Sequence, residues 1–117
     1  MNEAIKTYEF LRNKIGASNR KLYLLTVNRL AFLYAMRGEM EKTLDLLQEG
    51  IAVDPENPHF YYETAALYGS LSQVEESVKW LDKALKRGYN NWEQLQKDQR
   101  LGSIRNTHYF KSLRRRQ

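Results

Sequence analysis

Apolar positions recur along this chain at helical spacing, and one set of them is echoed by another. Ala4, Tyr8, Leu11 and Ile15 keep to one side of a helix over 2–15. Leu24, Val27, Leu30, Ala31 and Tyr34 do the same over 20–37, and Met40, Thr43, Leu44, Leu47, Gly50 and Ile51 over 40–53. A fourth helix is predicted over 58–71, with Tyr61, Ala65 and Tyr68 inward, and a fifth over 73–87. No series of strands is apparent, so the pattern predicts an all-α fold.

The joints carry their own signals. Gly16 to Asn19 break the first helix, and Gly38 ends the second where a left-handed residue costs least. Both prolines lie in Asp54-Pro55-Glu56-Asn57-Pro58. Pro55 pushes Asp54 out of helical geometry. Asn57 can cap the next helix, with Pro58 at its first position, where no amide donor is needed. Ser72 and Glu75 form a capping-box pattern that would open the fifth helix, and Gly88 ends it. Beyond Gly88, Trp92, Leu95, Leu101, Ile104, Phe110 and Leu113 recur mostly at multiples of three. That spacing predicts short helical pieces with a kink near Gly102, anchored by Trp92 and Phe110.

Shifted by 34 residues, Val27, Leu30, Ala31 and Tyr34 fall on Tyr61, Thr64, Ala65 and Tyr68. Thr43, Leu47, Gly50 and Ile51 fall on Ser77, Leu81, Ala84 and Leu85. A fixed period of this length indicates stacked helical hairpins. The two units resemble tetratricopeptide repeats (TPR). Small residues match at Ala31, Gly50, Ala65 and Ala84, the late aromatic at Tyr34 and Tyr68, and the closing proline at Pro55. Val27, Thr43, Ser77 and Tyr89 depart from the family pattern. The first helix is similar to the second half of an earlier repeat, since Ala4, Tyr8 and Leu11 align with Thr43, Leu47 and Gly50. WEQLQKDQRLGSIRNTHYFKSL resembles the closing segment of bacterial TPR proteins, with Asp98-Gln99 where those usually have Asp-Pro.

The resemblance implies one TPR-like domain over 1–117, an α-solenoid fragment of antiparallel helical hairpins. It would comprise a half-repeat helix (1–19), two repeats (20–57 and 58–89) and a C-terminal helical cap (90–117). It also implies a scaffold or adaptor that holds a peptide or helix of another protein in a concave groove.

The residues argue for a groove independently. Successive helical residues sit about 100° apart, so Phe60, Tyr61 and Tyr62 cannot all face one buried stripe. With Tyr61 inward, Tyr62 turns to a second face with Ala66, Gly69 and Ser70. In the first unit Leu25, Asn28, Phe32 and Met36 occupy the corresponding face. The expected groove comprises these four with His59, Tyr62, Glu63, Ala66 and Ser70, His59 being the one better read as a solvent-facing turn residue. On that reading Tyr62→Ala and Phe32→Ala each change stability by less than about 2 kcal/mol. The alternative is that both rings pack on a neighbouring helix. A lysine and asparagine clamp for a terminal carboxylate is not expected, since Asn28 alone fits it.

Charge narrows the partner. Residues 1–38 carry seven Lys/Arg against two Asp/Glu, 39–85 three against ten, and 86–117 nine against two. The acidic middle and the apolar slot suit a basic or amphipathic peptide. Lys111, Arg114, Arg115 and Arg116 could contact phosphates, making nucleic acid or an acidic partner an alternative. A basic helix end that complements its own dipole is the simpler reading. Self-association of a longer TPR array, through the alternating charge blocks, is a further alternative. There is no cysteine, no Gly-rich phosphate loop and no metal-binding pattern around His59 or His108, so neither enzyme activity nor a cofactor is expected. No run is apolar enough for a membrane span and no signal peptide is apparent, which fits a cytoplasmic protein.

Overall fold

A computed structural model describes residues 2–15 and 19–116, without the side chains of Arg114 and Arg116. The elements are α1 (Asn2–Ile15), α2 (Arg20–Met36), α3 (Met40–Val53), α4 (Pro58–Ser70), α5 (Val74–Lys86) and α6 (Trp92–Lys97). A 3-10 segment (Gln99–Ile104) and α7 (His108–Arg116) follow. The fold is all-α, with no strand among the described residues. The chain divides into two compact units, Met1–Glu56 and Asn57–Gln117.

In the first unit α2 and α3 fold back on each other, and α1 packs on α2. Asn19 opens α2 by accepting a hydrogen bond from the Leu22 amide at 3.2 Å. Residues 16–18 of the expected break lie outside the described residues. Val27, Leu30, Ala31 and Tyr34 are buried from α2, as their spacing required. Thr43, Leu47 and Gly50 are buried from α3, together with Leu46, which the pattern had left outside. At the open end, Arg20 ties the two helices by donating to the Val53 carbonyl (3.2 Å) and to Asp54 (2.7 Å).

The stripe expected on α1 holds in part: Ala4, Tyr8 and Ile15 are half-buried. Ile5 is buried, whereas Leu11 and the neighbouring Phe10 are exposed. The helix packs on α2, and Glu9 and Arg12, which follow Ile5 at helical spacing, turn toward α2 and α3. Glu9 and Arg12 meet polar partners there: Tyr34 donates to Glu9, and Arg12 lies 3.6 Å from both Glu9 and Glu49.

In the second unit α4 and α5 form the hairpin, and the 3-10 segment packs on both. Asn57 caps α4 by accepting from the His59 amide at 3.0 Å. The Ser77 hydroxyl, fully buried, donates across the hairpin to the Ala65 carbonyl at 2.8 Å. Its small size lets the helices approach closely.

Helices α2, α4 and α5 all end in the same knuckle. A residue with positive φ follows the C-cap: Gly38 (77°), Ser72 (59°) and Gly88 (95°). The next amide returns to a carbonyl of the last turn: Glu39 to Tyr34 (3.0 Å), Gln73 to Tyr68 (2.9 Å) and Tyr89 to Ala84 (3.1 Å). These are Schellman closures. They overturn the capping box expected at Ser72. Gln73 is the N-cap of α5 and makes no side-chain cap bond, while Ser72 is spent on closing α4.

The tail differs from expectation in its breaks and its anchors. Gly102 lies inside the 3-10 segment, and the chain bends instead at Asp98 and over Arg105 to Thr107. Arg105 secures the first bend by donating to the carbonyls of Leu95 and Asp98, both at 3.0 Å. Leu95, Leu101, Ile104, Phe110 and Leu113 are buried. Trp92 is half-exposed and is not an anchor, because it lies in the first turn of a short helix, ahead of its buried Leu95.

Candidate partner-binding face

Helices α2 and α4 are both apolar nearly all round, and the structure treats them differently. In α4 the whole circumference is used: Phe60, Tyr61, Tyr62, Thr64, Ala65, Ala66, Leu67 and Gly69 are buried. The three consecutive aromatics are therefore all interior. One stripe cannot hold them, but a helix covered on several sides can.

The cover on the Tyr62 side is the chain's own tail. Tyr62 is 1% exposed. Its ring stacks on Tyr89 at 4.2 Å, and its hydroxyl donates to Asp98 Oδ2 at 2.8 Å. Arg100 grips Asp98 through Nε (3.0 Å) and Nη2 (2.7 Å). The same guanidinium donates to both oxygens of Glu63, at 3.2 and 3.0 Å. Two-pronged guanidinium–carboxylate contacts of this kind are strong and directional. Further along, the Ser103 hydroxyl donates to the Gly69 carbonyl at 2.8 Å.

The electrostatics follow from this packing. Burial and the bond to Asp98 both push the Tyr62 phenol well above its usual value. Burial raises the Tyr89 phenol to about 12. Burial works to raise the Asp98 carboxyl too, but the bonds from Arg100 and Tyr62 outweigh it and hold the group below the usual carboxylate range.

The second-unit half of the expected groove is thus corrected in part. Tyr62 and Ala66 (0% exposed) form interior packing, and Glu63 is bound to Arg100. His59 and Ser70 are exposed, with the Ser70 hydroxyl donating to the Leu67 carbonyl. The tail carries the polar partners that fill this face.

Helix α2 keeps an open face. Leu25 is 50% exposed, Phe32 62% and Met36 59%. Leu22 is exposed beside them, and it lines a shallow hollow with Asn19, Lys21 and Leu25. Asn28, expected on this face, is half-buried and engaged. The crest passes instead through Arg29, one residue on, which is exposed. Sequence reasoning missed Leu22 and Arg29 because the face was laid out from Asn28.

Elsewhere in the first unit, a polar cavity of about 270 Å³ is lined by Glu9, Arg12, Tyr34, Lys42, Asp45, Leu46 and Glu49. Its charges largely answer one another: Arg12 lies between Glu9 and Glu49, and Tyr23 donates to Glu49. In the tail Lys111 and Arg115 are exposed on α7, while the side chains of Arg114 and Arg116 lie outside the described residues. Among the described residues no three His, Cys, Asp or Glu are grouped to hold a metal ion, and no helix is long and apolar enough to cross a membrane. No protein-family model matches the chain, and no curated protein matches it.

Proposed function

We propose that this chain is a non-catalytic interaction module of the tetratricopeptide-repeat type, acting as an adaptor or scaffold that holds a helix or peptide of another protein. The observation that carries this reading is the open face of α2, where Leu25, Phe32 and Met36 stand exposed on a helix with no packing need to show them. Large apolar side chains grouped on one exposed face mark interaction sites more often than chance exposure does. Two further features support the repeat reading. The knuckle at Gly38 recurs 34 residues on at Ser72, and the small buried hydroxyl of Thr43 recurs at Ser77.

Affinity capture with the wild-type chain and with a Phe32→Ala/Met36→Ala variant tests the reading. A protein retained by the wild type and lost with the variant supports it, given an unchanged thermal melt for the variant. Identical capture profiles overturn it.

A further inference from the structure

Leu22, Leu25, Arg29, Phe32 and Met36 follow one another at intervals of three, four, three and four. That is the seam spacing of one helix packing lengthwise on another. The stripe runs about 21 Å along α2, some four turns. All five residues are exposed. Arg29 stands at its middle, and Lys21 borders its start. Neither makes a hydrogen bond or ion pair with any described residue. Helix α2 has no carboxylate of its own, its sequence being RKLYLLTVNRLAFLYAM.

The second unit shows what this position does when it is occupied. Glu63 lies 34 residues beyond Arg29, and the segment seated on α4 presents Arg100 to it over 3.0 Å. At α2 the charge is reversed. A carboxylate on a segment seated there would meet Arg29 where the tail brings a guanidinium to Glu63. The size pattern differs as well. Ala66 is small and fully buried on α4, whereas Phe32, its counterpart, projects as a knob and needs a hole between side chains.

From these observations we infer that the α2 face takes an amphipathic helix of another protein, apolar along its seam and carrying a carboxylate that pairs with Arg29. This rests on the interaction reading above and names its ligand chemistry. It also reverses the basic peptide suggested by the acidic middle of the sequence, because those carboxylates do not lie on this stripe. A single polar residue inside an apolar seam fixes register, so Arg29 would set where along α2 the partner sits.

Two synthetic helices of about four turns test it. They share a leucine seam and differ in carrying Glu or Lys beside it. Binding of each labelled helix to the full chain is followed by fluorescence anisotropy at low and high salt. The wild type is expected to bind the Glu helix at least about tenfold more tightly than the Lys helix, with the difference shrinking as salt rises. Arg29→Glu is expected to reverse the preference, and Phe32→Ala to weaken both helices by about tenfold at an unchanged melting temperature. Equal affinity of the wild type for both helices, with Phe32→Ala still weakening them, overturns the carboxylate inference and leaves the interaction reading standing. Failure of both helices to bind overturns the inference as well, and the capture experiment then decides the reading separately. Dimerisation in sedimentation that is abolished by Phe32→Asp overturns it too, since a second copy would then cover the face.

Discussion

The Tyr62 hydroxyl donates to Asp98 over 2.8 Å and joins the second turn of α4 to the first bend of the tail. A hydrogen bond to a charged group contributes more than a neutral one, so Tyr62→Phe should cost about 2 kcal/mol in urea unfolding at neutral pH. The Asp98 carboxyl is held below its ordinary value in the folded state. Its contribution is therefore present above the unfolded value of about 3.9 and is lost as pH falls through the lowered folded value. Asp98→Asn should flatten that acid limb of the stability profile. An unchanged limb would show that the network does not set acid stability.

The two aromatics first expected to share one groove should separate on truncation. Tyr62→Ala empties a site at 1% exposure and should cost about 3–5 kcal/mol, as large buried rings do. Phe32→Ala acts at 62% exposure and should stay within about 0.5 kcal/mol. Thermal melts of both variants check the contrast directly.

Gly69 is required by the tail. A methyl group there would lie 2.4 Å from the Arg100 carbonyl oxygen and 3.2 Å from the Ser77 hydroxyl. The first obstacle is backbone and cannot swing aside. Gly69→Ala should destabilise by about 1–3 kcal/mol. Gly102→Ala is the control, since nothing lies within 4 Å of its added carbon. Comparable losses in the two would show that the close approach is not the cause.

Ser72 offers a test of sign. Its φ of 59° is a strained setting for a residue with a Cβ, and glycine relieves that strain. Ser72→Gly should raise stability by about 1 kcal/mol, a gain visible as a higher urea midpoint. Were Ser72 a helix cap, the same change would leave stability level or slightly lower it.

The helices and their hairpin pairing were legible because they follow from spacing and punctuation. Gly38, Gly88, Asn57 and Pro58 do what their chemistry dictates. Ser72 was misread because a Ser three residues before Glu satisfies a cap pattern, while the closure of the preceding helix makes the same position left-handed. The open side of α2 was visible in Leu25, Phe32 and Met36. The closed side of α4 was not, since its cover comes from Asp98, Arg100 and Ser103, thirty or more residues away. Nothing in their local sequence states that they return to Tyr62, Glu63 and Gly69.

The opposite charges at Glu63 and Arg29 also bear on how the chain assembles. A newly made tail finds two similar hairpins and must choose between them. On α4 it meets Glu63 and Gly69, which accept its guanidinium and its close backbone. The matching places on α2 hold Arg29 and Ala35, which offer repulsion and an obstructing methyl instead, with the exposed Phe32 between them. Seating on the wrong hairpin therefore carries its own penalty, and a repeat that could have trapped its own terminus during folding discriminates against the mistake.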